Sequence, residues 1–144
     1  MDRSARPGDH DDARDPAALR TAGSDAIRQV VDFLRAMERR DLDAARAHLA
    51  PDFAMCFPGG HAMTRLEQLV ERSALRYRHV AKDFETLDAC DADGRTVVYC
   101  AGRLRGEWAD GTAFSGIRFI DRFELRDGRI VRQDVWNDMA AVGR

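Results

Sequence analysis

The sequence predicts an α+β fold in which three helices from the first half of the chain close the concave face of a curved, mixed or antiparallel sheet. Three observations predict it. Apolar residues recur at three- and four-residue steps as far as about Tyr77 and at two-residue steps beyond it. Three Asp-Gly pairs, Asp93-Gly94, Asp110-Gly111 and Asp127-Gly128, divide the second half into four long strands. The chain has 144 residues, 44% of them hydrophobic and 33% charged, which is room for one ordinary domain.

Residues 1–23 mix Arg, Asp, Ala, Gly and Pro, with Leu19 the only large aliphatic after Met1, and all 11 aromatics lie at or after Phe33. Such a segment buries too little to offset its ordering entropy and reads as a disordered tail ahead of a domain over 24–144. From Ser24, which is placed as a cap, Ile27, Val30, Val31, Leu34 and Met37 make an amphipathic helix. Asp41 is positioned to cap a second, shorter helix that Pro51 closes. Phe53, Met55 and Phe57 alternate as a short strand ended by Pro58-Gly59-Gly60. Thr64-Arg65-Leu66-Glu67 has capping-box form and opens a third helix, which Tyr77-Arg78-His79 ends. The strands that follow are expected over roughly 82–91, 95–108, 113–125 and 130–139, and strands of that length twist and curl around whatever covers them. Runs of strands after runs of helices make an α+β domain.

Charge and composition narrow the function. Lys and Arg total 23 against 25 Asp and Glu, a net charge of -2, and the single Lys82 and 22 Arg are interleaved with acids. No basic excess points to nucleic acid. No apolar run approaches the roughly 20 residues of a membrane helix, and no signal-type segment opens the chain, so a cytoplasmic protein with no membrane partner is expected. Cys56, Cys90 and Cys100 lack CxxC spacing and read as buried free thiols of a reducing compartment. Histidines at metal-ligand spacing, a Gly-x-Ser-x-Gly elbow and a phosphate-binding glycine loop are all missing, so no metal and no organic cofactor is expected.

Period-two logic puts Val98, Cys100, Leu104 and Trp108 on the inner face, with Gly102 and Gly106 between them. On the next strand Ile117, Phe119, Phe123 and Leu125 face inward, and Asp121 falls in the same row. A carboxylate between two phenylalanines is the clear break in the binary pattern. It is either paired with a buried Arg or bonded to backbone, or it is a functional acid or base whose pKa burial raises, unless the register is misread. The last strand carries Gln133, Val135, Asn137 and Met139 on one parity. A two-residue turn at Asp127-Gly128 would set Asp134 opposite Asp121, and a bulge would set Val135 there. His61 and His48 are read as surface residues.

The order of these elements resembles the nuclear transport factor two-like superfamily, and within it the SnoaL-like branch. The likeness rests on Arg40-Asp41-Leu42-Asp43, Pro51-Asp52-Phe53, Pro58-Gly59, and a meander ending in Asp127-Gly128-Arg129-Ile130 followed by Trp136-Asn137-Asp138. It implies a cystatin-like roll, a cone-shaped α+β barrel with a pocket in its concave sheet, and a homodimer formed through the outer sheet face. Against ketosteroid isomerases, Asp121 matches the acid that bonds the substrate oxygen, but Phe57 and Phe33 stand where a base aspartate and a tyrosine are found. Against polyketide cyclases, Asp121 replaces a pocket histidine and Val135 the acid-base aspartate. Limonene epoxide hydrolase also has an aspartate at Val135, and its Arg-x-Asp motif has no counterpart among Gly102, Arg103 and Leu104.

The expected pocket therefore has Asp121 and Asn137 as its polar, candidate catalytic points. Phe33, Phe57, Leu104, Trp108, Phe119, Phe123 and Val135 are its expected apolar, ligand-binding lining. Two functions follow. One is an isomerase, cyclase or dehydratase acting without cofactor on a small hydrophobic oxygenated molecule, with Asp121 as acid or base. The other is a non-catalytic ligand-binding or dimerisation module. Trp136 and Ile120 make the outer face apolar at its centre, as a homodimer would need.

Overall fold

A computed structural model describes residues 16–142, with side chains from residue 23 onward. Residues 1–15 of the expected tail lie outside the described residues. Helix α1 spans Pro16–Arg39 and so begins eight residues before Ser24, inside the stretch assigned to the tail. Proline suits a first helical position, and Ala17, Ala18, Leu19 and Arg20 are strong helix formers.

The inner stripe of α1 is Val30, Phe33, Leu34 and Met37, all buried. The helix stops in a Schellman motif. The Asp41 N–H donates to the Ala36 carbonyl at 2.9 Å and the Arg40 N–H to that of Met37 at 3.1 Å, with Arg40 left-handed at φ 61. Asp41 then caps α2 (Leu42–Arg46), its Oδ1 accepting from the Ala44 N–H at 3.2 Å. That helix is shorter than expected, because strand β1 (Leu49–Phe57) already starts ahead of Pro51. Gly59 and Gly60, at φ 87 and 79, turn the chain into a short strand β2 (His61–Met63) that the sequence reading placed in a loop.

Helix α3 covers Leu66–Ala74. Its box lies one residue later than expected: Gln68 Oε1 accepts from the Thr64 and Arg65 N–H groups at 3.1 and 3.0 Å. Glu67 instead reaches Arg46 at 2.7 Å. Strand β3 (Tyr77–Ala92) takes up Tyr77, Arg78 and His79, which had been read as the helix end. Strands β4 (Arg95–Trp108), β5 (Ala113–Arg126) and β6 (Arg129–Asn137) follow, then a 3-10 turn over Met139–Val142.

The six strands form one mixed sheet in the order β2-β1-β6-β5-β4-β3. Only β1 and β6 run parallel. The sheet is open, since its edge strands β2 and β3 do not pair, and with the three helices it makes the α+β fold expected from the sequence. Two of the Asp-Gly pairs have positive φ at both residues, the type I′ geometry that matches strand twist. Asp110-Gly111 instead sits in a longer loop, where Asp110 Oδ1 accepts from the Thr112 N–H at 2.9 Å.

Bending is concentrated where β3 crosses β4. A Cβ at Gly102 would run into the Asp83 carbonyl oxygen, and one at Gly106 into that of His79. Both glycines lie beside register shifts of β3, so close backbone approach and bulge go together. The β5–β6 hairpin combines the two expected registers. Its turn has two residues, with Arg126 opposite Arg129, but a bulge at Val131 sets Glu124 opposite Arg132 and Asp121 opposite Val135.

Candidate functional site

Strand parity delivers Asp121 to the inner face as expected, between Cys100 on β4 and Val135 on β6. It is completely buried, and Lys82 and Gln133 are the polar groups that act on its carboxyl. No arginine pairs with it. The cation beside it is Lys82 on β3, whose Nζ stands 3.5 Å from Oδ2. Burial pushes the Asp121 carboxyl above the usual carboxylate range, against the pull of the Lys82 ammonium and the Gln133 amide. Burial is the largest influence and would lower the Lys82 ammonium, but the Asp121 charge together with Cys100, Tyr77 and Glu38 outweighs it and holds that group above the ordinary lysine value. The Cys100 thiol, buried and next to the Asp121 charge, is pushed up to about 12 and is therefore no nucleophile near neutrality. Of the three cysteines read as buried, Cys100 alone is fully so; Cys56 is half-buried, and Cys90 is exposed on the outward parity of β3.

Helix α1 holds Lys82 by its backbone. The Lys82 N–H donates to Glu38 Oε2 at 2.8 Å, and its carbonyl accepts from Arg35 Nη1 at 3.0 Å. Arg35 and Glu38 are themselves paired at 2.9 Å, so one helical turn grips both sides of a single residue. Further out, Lys82 Nζ lies 4.9 Å from the centre of the Phe119 ring and the Arg35 guanidinium 4.9 Å from that of Phe84. A cation clamped at backbone, ring face and carboxylate has few ways to move.

Lys82 also faces a cavity. Two lobes, of about 70 and 90 Å³, share Phe57, Leu69, Ser73, Tyr77, Val80 and Lys82 as a common wall. The first lobe adds Phe33, Glu38, Arg40 and Gln133. The second adds Leu104, Val135 and Asn137, with Arg72 and Arg76 at its edge. Asn137 Oδ1 accepts from the Met139 N–H at 3.1 Å, which leaves Nδ2 as its donor for a ligand. Tyr77 donates its hydroxyl to Ser73 Oγ at 3.0 Å across the common wall.

Phe33, Phe57, Leu104, Val135 and Asn137 are thus brought together around the cavity. Phe119, Phe123 and Trp108 line neither lobe. Phe123 lies under α1 with its ring 6.1 Å from that of Phe33, Phe119 supports the Lys82 ammonium, and Trp108 stacks on Phe114 at 4.3 Å. Asp121 lines neither lobe, but Lys82 and Gln133, whose polar groups act on its carboxyl, line the cavity. His48 is half-buried with Nδ1 3.4 Å from Gln29 Oε1, and His61 is exposed on β2.

The reading from sequence missed Lys82, Glu38 and Tyr77. A usable signal was present: Val80, Lys82 and Phe84 alternate with Ala81, Asp83 and Glu85, and Lys82 is the only lysine among 23 basic residues. Starting β3 at 82 hid the alternation. Among the described residues there is no cluster of three potential metal ligands, and no helix is long and apolar enough to cross a membrane.

Comparison with known proteins identifies the architecture. The SnoaL-like domain family matches residues 30–133. An NTF2-like protein of unknown function from Burkholderia pseudomallei K96243 superposes with a TM-score of 0.67 at 20% identity, over 82% of this chain and 94% of that one. A protein assigned as a SnoaL-like polyketide cyclase from Jannaschia sp. CCS1 gives 0.66 at 17% identity, over 90% and 94%. Another assigned as a polyketide cyclase, from Xanthomonas campestris pv. campestris, gives 0.60 at 20% identity, over 83% and 94%. At these identities the likeness is one of fold. No curated protein matches the chain.

Proposed function

We propose, for a chain that belongs to the SnoaL-like domain family, an enzyme that isomerises, cyclises or dehydrates a small hydrophobic oxygenated molecule without metal or organic cofactor. Asp121, behind the cavity wall, is its acid or base by way of the Lys82 ammonium that lines both lobes, and Asn137 Nδ2 is a hydrogen-bond donor to the substrate. One observation carries this reading: a fully buried carboxylate stands 3.5 Å from Lys82 Nζ and beside Gln133, and both of those residues line a cavity. Burial also moves its pKa toward the range in which proton transfer is useful.

The second reading is a binding module, favoured by Phe57 and Val135. Both line the cavity at the places where related isomerases and cyclases carry working carboxylates. A turnover screen over cyclic ketones, enols and hydroxy acids, run on the wild type and Asp121→Asn, separates the two. Conversion by the wild type and its loss in the variant are expected. Ligand binding without conversion in either protein would establish the module.

The three free cysteines and the absence of a membrane-length helix among the described residues support a cytoplasmic setting. Two copies are proposed to join through the outer sheet face, where Tyr99, Ile120 and Trp136 are exposed and Ile120 is paired with Trp136 across β5 and β6. Sedimentation of the wild type at micromolar concentration tests this, and a monomer overturns it.

A further inference from the structure

We infer that the ligand of this cavity is an anion of about one ring: a carboxylate or ionised enol oxygen seats on Lys82 Nζ, and a second, un-ionised hydroxyl donates to Gln133 Oε1. The inference rests on the cavity being the functional pocket and goes beyond it by naming the chemical class that fits.

Lys82 supplies the first contact. An ammonium has three N–H donors. The Asp121 carboxylate and the face of Phe119 take up two directions, and the side chain still lines both lobes. With its backbone gripped by Arg35 and Glu38, the cation stands in place before any ligand arrives. A charge-assisted bond to an oxyanion is the strongest contact available to it.

Gln133 supplies the second. It is 3% exposed, and its Oε1 has no partner. An ionised carboxylate only accepts hydrogen bonds, so the Gln133 amide must turn Nε2 toward Asp121. That orientation leaves Oε1 as an orphan acceptor in a residue that lines the first lobe. A ligand hydroxyl satisfies it, and a second carboxylate would not.

Charge at the rim agrees. Arg40 borders the first lobe and Arg72 the second, while the lining acid, Glu38, is already paired with Arg35. In a chain of net charge -2 this is a local positive field, which concentrates anions at the mouth. Lobes of about 70 and 90 Å³ admit one ring rather than a fused polycycle.

Calorimetric titration of the 144-residue chain with 3-hydroxybenzoate, 3-hydroxybenzamide and benzoate tests the inference. The hydroxy acid is expected to bind about tenfold or more tighter than its neutral amide, and several-fold tighter than benzoate. Lys82→Met combined with Asp121→Asn, which removes both buried charges together, should erase the preference for acid over amide. Gln133→Leu should erase only the preference for the hydroxylated acid. Arg40→Gly, outside the buried pair, should weaken both acids a few-fold and leave the amide unchanged. Equal affinity for acid and amide in the wild type overturns the inference and leaves the pocket standing. Binding of none of the three overturns both.

Discussion

The concave face of this sheet has a dry half and a wet half, built from alternate residues of the same strands. In the dry half Phe33 meets Phe53 and Phe123 edge-on, at 6.2 and 6.1 Å, and all three rings are buried. In the wet half Asp121, two residues from Phe123, shares a low-dielectric wall with Lys82, Gln133 and Asn137. The two halves differ in what covers them. Val30 and Phe33 of α1 press on the dry half, with Phe33 at its border with the cavity, whereas the wet half lies where α1 ends and the next cover, α3, stands across that cavity. Aromatic packing is complete where the cover is continuous. Where it breaks, the sheet can present charge to a ligand.

The sharpest way to break this division is Phe123→Ala, which empties the dry half. A loss of about 3–5 kcal/mol is expected in urea unfolding, since a fully buried ring leaves a cavity that neighbours fill only in part. A loss under about 1 kcal/mol would mean that the two halves are equally loose.

Lys82→Met attacks the wet half. It strands a buried carboxylate and is expected to cost about 3 kcal/mol at neutral pH. The sign with pH is distinctive. The folded pKa of Asp121 is raised above the roughly 3.9 of an unfolded aspartate, so its contribution to stability is complete below that value and is lost as pH rises through the folded pKa. Removing Lys82 raises the folded pKa further. The deficit of the variant should therefore be small near pH 4 and grow toward pH 7, as paired urea melts would show. An equal deficit at both pH values would mean that Asp121 is not the group left stranded.

Trp136→Ser serves as the comparison outside both halves. Trp136 is 53% exposed on the outer face, so monomer stability should change by no more than about 0.5 kcal/mol. In sedimentation the same substitution should shift the proposed dimer toward monomer. A large stability loss without that shift would mean that Trp136 belongs to the core.

Much of this was legible in the residue order. The Asp-Gly pairs placed three strand connections, two of them as I′ turns, and parity carried Asp121 inward, while for Val135 and Asn137 it gave a shared face whose side the hairpin register had to settle. Asp41 declared itself as a cap. The partner of Asp121 was not legible. Lys82 is 39 positions earlier in the chain and meets Asp121 across β4, past bulges that Gly102 and Gly106 mark without giving the register that results. The aromatic lining was half legible: Phe119 and Phe123 do face inward, but facing inward beneath a helix is packing, and only beside a gap is it lining.

Taken by itself, the sequence determined the three helices, the four long strands, two of their turns and which residues share a face. Those follow from backbone sterics and from the 3.6- and two-residue periods, which act over a few residues. Tertiary structure alone decided that the sheet stays open, that a two-residue turn followed by a bulge puts Val135 opposite Asp121, and that one lysine neutralises one buried acid beside a cavity. Those depend on how helix ends and bulged strands meet in space, where burial and Coulomb energy act between residues far apart in the chain.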